Sequence, residues 1–551
     1  MKMSATYQKL RGGYYTPEPI ANFLSEWAIT SKLCSILEPC CGDGVFLESS
    51  AKTLINLGAT KQEAGKLLNG IEIDAAEALS AYDRVRGLGF YASKAQIQSG
   101  DFFAYCRDLL NKGVHFDAIV GNPPFIRYQN FPEEQRSIAF GIMESAGLHP
   151  NRLTNAWVPF VVGSTLLLES KKGRLAMVIP AELLQVNYAA ESRHFLSDYY
   201  SKITLMTFRK LIFGDIQQEV VLFLGERNGH ERTGIRTFEL DGVQDLQGYE
   251  HTAFSDSEIK PLDHSTEKWT QYFLSSEETL LLRELRANPK LNHASDLIEV
   301  DVGVVTGQND FFVLTKDRAE ELEVVEQCIP LVSRSAHLVG ILFDEKAWRE
   351  NVQNGYPALL LNLPSASREK LAKSVQTYVS YGESMEWHMG YKCRIRNPWY
   401  AVPSVWTPGG FMMRQIHNYP KLVLNATDAT CTDTIHRVKF KPGVNKTAVA
   451  IGFLNTLTFA FAEVIGRSYG GGVLELEPKE CEKLPIPMFG AEKLDLTEIH
   501  QLVANGDMER VLEITDKVLL RDGLGLNQRQ IQALRDIWIK LRDRRNGRKR
   551  N

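Results

Sequence analysis

Cysteine is sparse and unpatterned in this chain: eight in 551 residues, no Cys-x-x-Cys spacing, and only Cys40 and Cys41 adjacent. That excludes a disulfide framework and a structural zinc site, so no metal is expected and a reduced, cytoplasmic compartment is. Positive charge is not in excess either. Lys and Arg number 63 against 67 Asp and Glu, a formal net charge of -4, so a polyanionic partner would have to be met by a local basic cleft. Long hydrophobic runs are missing. The most apolar window, residues 448–465, is interrupted by Asn455, Thr456, Thr458 and Glu463, and the N-terminal stretch MKMSATYQKLRGGYYTPEP has no apolar core. Neither membrane insertion nor export is therefore expected. Repeats and low-complexity tracts are absent as well.

What remains is an ordinary globular composition, 44% apolar and 24% charged, at a length that should divide into two or three units. From residue 35 to about 225, short apolar runs alternate with helical stretches, the pattern of a parallel sheet covered by helices. Strands are expected at 35–37, 69–73, 97–98, 116–120, 174–179, 203–208 and 219–224, with helices at 45–56, 75–86 and 156–170. The last two strands are joined by a loop alone, which predicts an antiparallel hairpin at the edge of a seven-stranded sheet. After Arg227 the texture becomes polar and irregular, so a boundary is expected near 230–260.

The strand at 116–120 runs into Asn122-Pro123-Pro124-Phe125. Two prolines cannot continue a ladder, so the chain leaves the strand on a stiff platform. There Asn122 offers a side-chain carbonyl, Pro123 a fixed backbone carbonyl and Phe125 an aromatic face, a set that suits a planar ring bearing an NH2 group. The same residues read as a strand-ending turn if nothing else is near. Other strand tips carry chemistry too. The first leads into Glu38-Pro39-Cys40-Cys41-Gly42-Asp43-Gly44, a glycine turn whose acids should repel a pyrophosphate and attract a sulfonium or ammonium. S-adenosylmethionine carries both cations. The second ends in Gly70-Ile71-Glu72-Ile73-Asp74, placing Glu72 where a ribose would lie, while Asp74 suits a helix cap. The third reaches Gly100-Asp101-Phe102-Phe103, where Asp101 could accept from an exocyclic amine with Phe102 against its ring. Open α/β sheets bind ligands at such strand ends.

Thr16-Pro17 with its following helix, then LEPCCGDGVFL, GIEID, GDFF, DAIVGNPPF and IFGDIQQEVVLFL, resemble the motif series of adenine-N6 DNA methyltransferases, specifically the gamma group that includes the Taq enzyme. The resemblance covers roughly residues 10 to 227. It implies a Rossmann-like class I S-adenosylmethionine-dependent catalytic domain over 1–240, a mixed α+β target-recognition domain over 241–490, and a helical segment with a basic tail over 491–551. It places Thr16, Glu38, Cys41, Gly42, Gly44, Glu72, Ile73, Asp101, Phe102 and Pro124 at the cofactor. Asn122, Pro123 and Phe125 become catalytic, and Phe213 contacts the edge of the target base. Two departures stand out: Phe125 where the family more often has Tyr, and Cys40 where a small residue commonly precedes Cys41.

Double-stranded DNA is the implied substrate, with a separate restriction endonuclease as a conceivable partner. The segment 382–410 interleaves Trp387, Tyr391, Trp399 and Trp406 with basic residues, suiting either stacking with phosphate contact or an aromatic core. Arg394, Arg396, Arg414 and Lys421 are the candidates for DNA contact. Cytosine N4, RNA adenine and a protein glutamine are alternative amino groups. A non-catalytic DNA specificity subunit is the alternative of a different class.

Overall fold

The computed structural model describes residues 15–90, 96–210, 212, 219–227, 233–248, 258–262, 268–469 and 472–547. The chain divides into two compact units, the first running to Ser276 and the second covering Glu277–Ser468 and Gly472–Asn546.

The first unit is built on an eight-stranded sheet: β1 (Ile36–Glu38), β2 (Leu68–Glu72), β3 (Ile97–Ser99), β4 (Ala118–Gly121), β5 (Arg174–Pro180), β6 (Lys202–Phe208), β7 (Val220–Glu226) and β8 (Gly234–Leu240), in the order 3-2-1-4-5-7-6-8. The first five are parallel neighbours, with Glu38 opposite Gly70 and Ile36 opposite Ala118. β7 inserts antiparallel between β5 and β6. The hairpin is thus interior rather than at the edge. β8 pairs parallel with β6 and takes that edge, an eighth strand where seven were expected. Its sequence, Gly-Ile-Arg-Thr-Phe-Glu-Leu, follows a polar stretch that reads as a linker, and pairing along its length with β6 makes it a strand.

Helices α1 (Glu18–Ala28), α2 (Val45–Asn56), α3 (Lys61–Leu67), α4 (Ala75–Gly87), α5 (Phe102–Asn111), α6 (Glu133–Ser145), α7 (Trp157–Leu166) and α8 (Ala190–Tyr199) accompany the sheet. Because side chains alternate across a strand, β5 feeds two cores at once. Leu175, Met177 and Ile179 join Phe102, Phe103 and Trp157 on one face, while Ala176 and Val178 join Ile20, Leu24, Phe46 and Leu47 on the other.

The second unit mixes short sheets with helices. A five-stranded sheet orders Ile298–Val302, Ile435–Phe440, Gly410–Met413, Leu422–Asn425 and Leu342–Phe343, and a four-stranded sheet holds Val313–Leu314, Leu359–Leu361, Cys328–Val332 and Thr430–Cys431. The C-terminal helix Gln528–Asn546 is part of this unit rather than a separate segment. Trp538 packs on Phe459 at 5.1 Å between ring centroids, and buried Arg545 pairs with Glu463 at 2.7 Å. Part of the expected basic tail is therefore internal, and residues 548–551 lie outside the described set. No single described helix is long and apolar enough to cross a membrane. The eight cysteines are all free thiols, and among the described residues no cluster suits a metal ion.

Candidate active site

The C-terminal tips of β1, β2, β3 and β4 surround a cavity of about 550 Å³, within the range of small-molecule sites. Glu72 organises its floor. One carboxylate oxygen accepts the Gly42 N–H and the other the Asp74 N–H, each at 3.0 Å, so a single acid ties the first strand-to-helix turn to the second. Asp74 caps α4 by accepting from the N–H groups of Ala76 and Glu77, the role its position predicts. Asp101 caps α5 by accepting from Ala104 at 2.9 Å, and burial raises its carboxyl above the usual range. Phe102 lines the cavity and stacks on Phe160 at 4.9 Å and 10°.

The turn from β1 differs from the expectation of a doubly anionic loop. Asp43 is held by Arg84 of α4 at 2.5 Å, and the same guanidinium reaches Glu48. Its charge is met inside the protein. Glu38 is buried, accepts the Leu47 N–H at 3.1 Å, and is pushed well above the ordinary carboxylate range by burial and by Asp43. It does not line the cavity. The acids facing that space are Glu72, Asp74, Glu77 and Asp101.

Of the residues expected at the cofactor, Gly42, Glu72, Ile73, Asp101, Phe102 and Pro124 line the cavity, as does Asn122. Cys41 does not: it is buried beneath the turn, its sulfur 3.3 Å from where a Cβ on Gly70 would lie. Its neighbour Cys40 faces the cavity and donates its thiol hydrogen to the Asn122 backbone carbonyl at 3.3 Å. Gly44 serves helix packing, with φ of +87° and an added Cβ only 2.9 Å from the Ala81 backbone of α4. Thr16 is buried behind Asn122, whose amide Nδ2 donates to its hydroxyl at 3.1 Å. Pro123 is buried, and Phe125 is half-buried where the two cores meet. Phe213 lies outside the described residues.

The motifs gave no sign of several lining residues. Phe131, Pro132 and Gln135 arrive from the segment after the proline turn, and Tyr15 donates to Glu77 at 2.9 Å. Vicinal cysteines were visible in the sequence, but nothing local says which one faces outward.

Three of the four candidates for DNA contact make hydrogen bonds or ion pairs within the protein. Arg396 donates to the carbonyls of Thr306 and Val305, both at 2.6 Å. Arg414 pairs with Glu475 and Glu477. Lys421 donates to the carbonyls of Leu338 and Val339, and burial lowers its pKa to about 8. Each of these three cations is half-buried and engaged by carbonyls or acids of the protein. Arg394 alone of the four is exposed.

A cavity at the strand tips that sets carboxylates beside an aromatic wall fits a cationic, adenine-bearing cofactor. The family model described as N-6 DNA Methylase matches residues 1–279, over half of the chain. The chain belongs to this family. A second model, the C-terminal domain of Type II methyltransferase M.Eco57I, matches residues 266–520. Type II methyltransferase M.AccI of Acinetobacter calcoaceticus is 23% identical over 517 residues, covering 87% of this chain and 86% of the relative. M.XamI of Xanthomonas campestris pv. amaranthicola is 23% identical over 498 residues, covering 86% and 85%. The solved structure of the Type IIL restriction-modification enzyme MmeI in complex with DNA shares the fold with a TM-score of 0.58 at 11% identity, covering 98% of this chain and 76% of that one. This N-6 DNA Methylase family member is thus an S-adenosyl-L-methionine-dependent DNA methyltransferase of the restriction-modification type, on an α/β class I scaffold.

Proposed function

We propose that the chain methylates the N6 amino group of an adenine flipped out of duplex DNA, as a gamma-group modification enzyme. The observation carrying this reading is that Asn122, at the tip of β4, lines the same cavity as Glu72 and Asp101 while Thr16 fixes its amide. Glu72, Ile73, Asp101 and Phe102 would hold the cofactor, with Gly42 permitting close approach. Bound there, S-adenosylmethionine supplies an electrophilic methyl group on a sulfonium.

An adenine amine is a weak nucleophile because its lone pair is delocalised into the ring. With Nδ2 committed to Thr16, the acceptor of the Asn122 side chain is its carbonyl oxygen, which takes one amine hydrogen while the Pro123 carbonyl takes the other. The nitrogen is drawn toward tetrahedral geometry and its lone pair toward the methyl group. The contribution is orientation and electrostatic preorganisation, without a general base. Phe125 stacks on the flipped ring and Phe213 meets its edge, offsetting an unstacking cost of a few kcal/mol. The second unit reads the DNA site, and the chain modifies DNA without cleaving it.

The test is incubation of the protein with tritiated S-adenosylmethionine and unmethylated plasmid, followed by nucleoside analysis. Label in N6-methyladenine is the expected result. Label in N4-methylcytosine, RNA or protein would overturn the adenine reading, and cleavage of DNA by the purified chain with magnesium would overturn the reading as a stand-alone modification enzyme.

A further inference from the structure

Five large apolar side chains stand exposed within fifteen residues of the second unit: Tyr381 at 43%, Met385 at 49%, Met389 at 56%, Tyr391 at 65% and Ile395 at 61%. Single exposed hydrophobics are ordinary, but such a concentration marks a contact surface. Its base is firm. The helix Lys373–Ser384 buries Val375, Tyr378 and Val379, with Tyr378 stacked on Phe311 at 4.6 Å. Gly382 lets that helix sit against Trp399 and Phe311, since a Cβ there would lie 2.9 and 3.0 Å from their rings. Tyr381 and Met385 are four residues apart, as are Tyr391 and Ile395, so each pair lies on one side of its helical turn. The Tyr381 ring meets Trp387 edge-on at 5.6 Å.

The charges around this surface have one net sign. Lys392 and Arg394 are exposed and form no ion pair among the described residues. Glu383 is already engaged by Arg368 at 3.0 Å and by the Trp399 indole N–H at 3.2 Å. Glu386 is the remaining exposed acid of the segment, on a left-handed turn with φ of +58°. Two cations flanking bare apolar tips suit a polyanion whose interior is apolar. A second copy of the same surface would bring like charges together.

We propose that residues 381–395 form a contact surface for duplex DNA, with Lys392 and Arg394 meeting phosphates and Met385, Met389, Tyr391 and Ile395 bearing on base steps within a groove. The proposal rests on the DNA-methylating reading above and adds to it where the second unit touches the duplex.

The experiment measures binding of a fluorescent 30-base-pair duplex to the full chain across a series of salt concentrations. Lys392→Ala with Arg394→Ala should flatten the slope of log affinity against log salt by about 1.8, since each phosphate contact contributes about 0.9. Affinity at low salt should fall about tenfold. The triple change Met389→Ser, Tyr391→Ser, Ile395→Ser should weaken binding about tenfold with the slope unchanged. Glu386→Lys keeps the turn and should steepen the slope by about 0.9 while tightening binding. Cofactor affinity should stay constant in all three, which guards against misfolding. If duplex affinity and slope stay within twofold of the unaltered chain in every variant, the proposal falls. It falls equally if the unaltered chain sediments as a dimer and the triple variant as a monomer with duplex affinity intact. The base that carries label tests the functional reading separately: an unaltered chain that binds duplex but labels another base leaves this surface standing.

Discussion

The hydroxyl of Thr16 accepts a hydrogen bond from the side-chain amide of Asn122 at 3.1 Å, joining residues 106 apart in the sequence. Thr16 is 8% exposed and sits just before Pro17, which leads into α1. The segment leading into α1 is therefore tied to the proline turn by this hydrogen bond. An amide held by its nitrogen cannot rotate without breaking that bond, so the direction of its carbonyl is set by Thr16.

Thr16→Val keeps the shape of the side chain and removes the acceptor. The rate of methyl transfer should fall roughly 5- to 30-fold, the worth of one such hydrogen bond, while cofactor affinity changes little. Thr16→Ser should restore most of the rate. Asn122→Ala should lower transfer by at least about 10²- to 10³-fold with cofactor binding retained. Single-turnover kinetics beside cofactor titration separates the two effects, and an unchanged rate for Asn122→Ala would remove the assignment.

Glu72 holds two backbone N–H groups from two different turns, at 3.0 Å each. Glu72→Ala leaves both donors without their acceptor and takes a carboxylate from the cavity, so cofactor affinity should drop about 10- to 100-fold. Glu72→Gln retains one carbonyl and should fall between. Calorimetric titration with S-adenosylmethionine distinguishes them, and equal affinities for all three proteins would show that Glu72 has no part in binding.

Gly42 and Gly44 flank Asp43 yet should respond differently to alanine. At Gly44 the backbone has φ of +87° and an added methyl lies 2.9 Å from the Ala81 backbone. Strain and overpacking together should cost roughly 2–4 kcal/mol. Gly42 has φ of +48° with nothing within 4 Å of an added methyl, so only the backbone term, about 1 kcal/mol, applies. Denaturant midpoints of the two variants give the comparison, and an equal loss would place the helix contact elsewhere.

Asp516 is buried in the second unit and accepts the Thr456 N–H at 2.9 Å and the Thr456 hydroxyl. Burial raises its pKa from 3.8 to about 6. A carboxyl with a raised folded pKa binds more protons folded than unfolded between those values. Its contribution to stability is therefore present at low pH and is lost as pH climbs through 6, by roughly 2–3 kcal/mol. Asp516→Asn removes this titration. The stability difference between the two proteins, from urea curves at pH 4 and pH 7, should shift by that amount in favour of the variant at the higher pH. A pH-independent difference would mean that Asp516 titrates normally.

The sequence alone was enough to place β1 to β7, the helices at 45–56 and 75–86, and the strand-tip residues Gly42, Glu72, Asp101 and Asn122 around one site. Those features are local: apolar alternation sets a strand, a proline pair ends it, and an open α/β sheet presents its tips together. Tertiary structure alone decided the rest. Cys41 packs beneath the turn against Gly70, and Cys40 is the one that faces the cavity. Asp43 is paired with Arg84 of α4, and Arg396, Arg414 and Lys421 are engaged by carbonyls and acids 61 to 91 residues away. β8 is defined by its seven-residue pairing with β6. A charge or an edge hydrogen bond is committed by whichever group lies within about 3 Å in the fold, and periodicity along the chain carries no information about that neighbour.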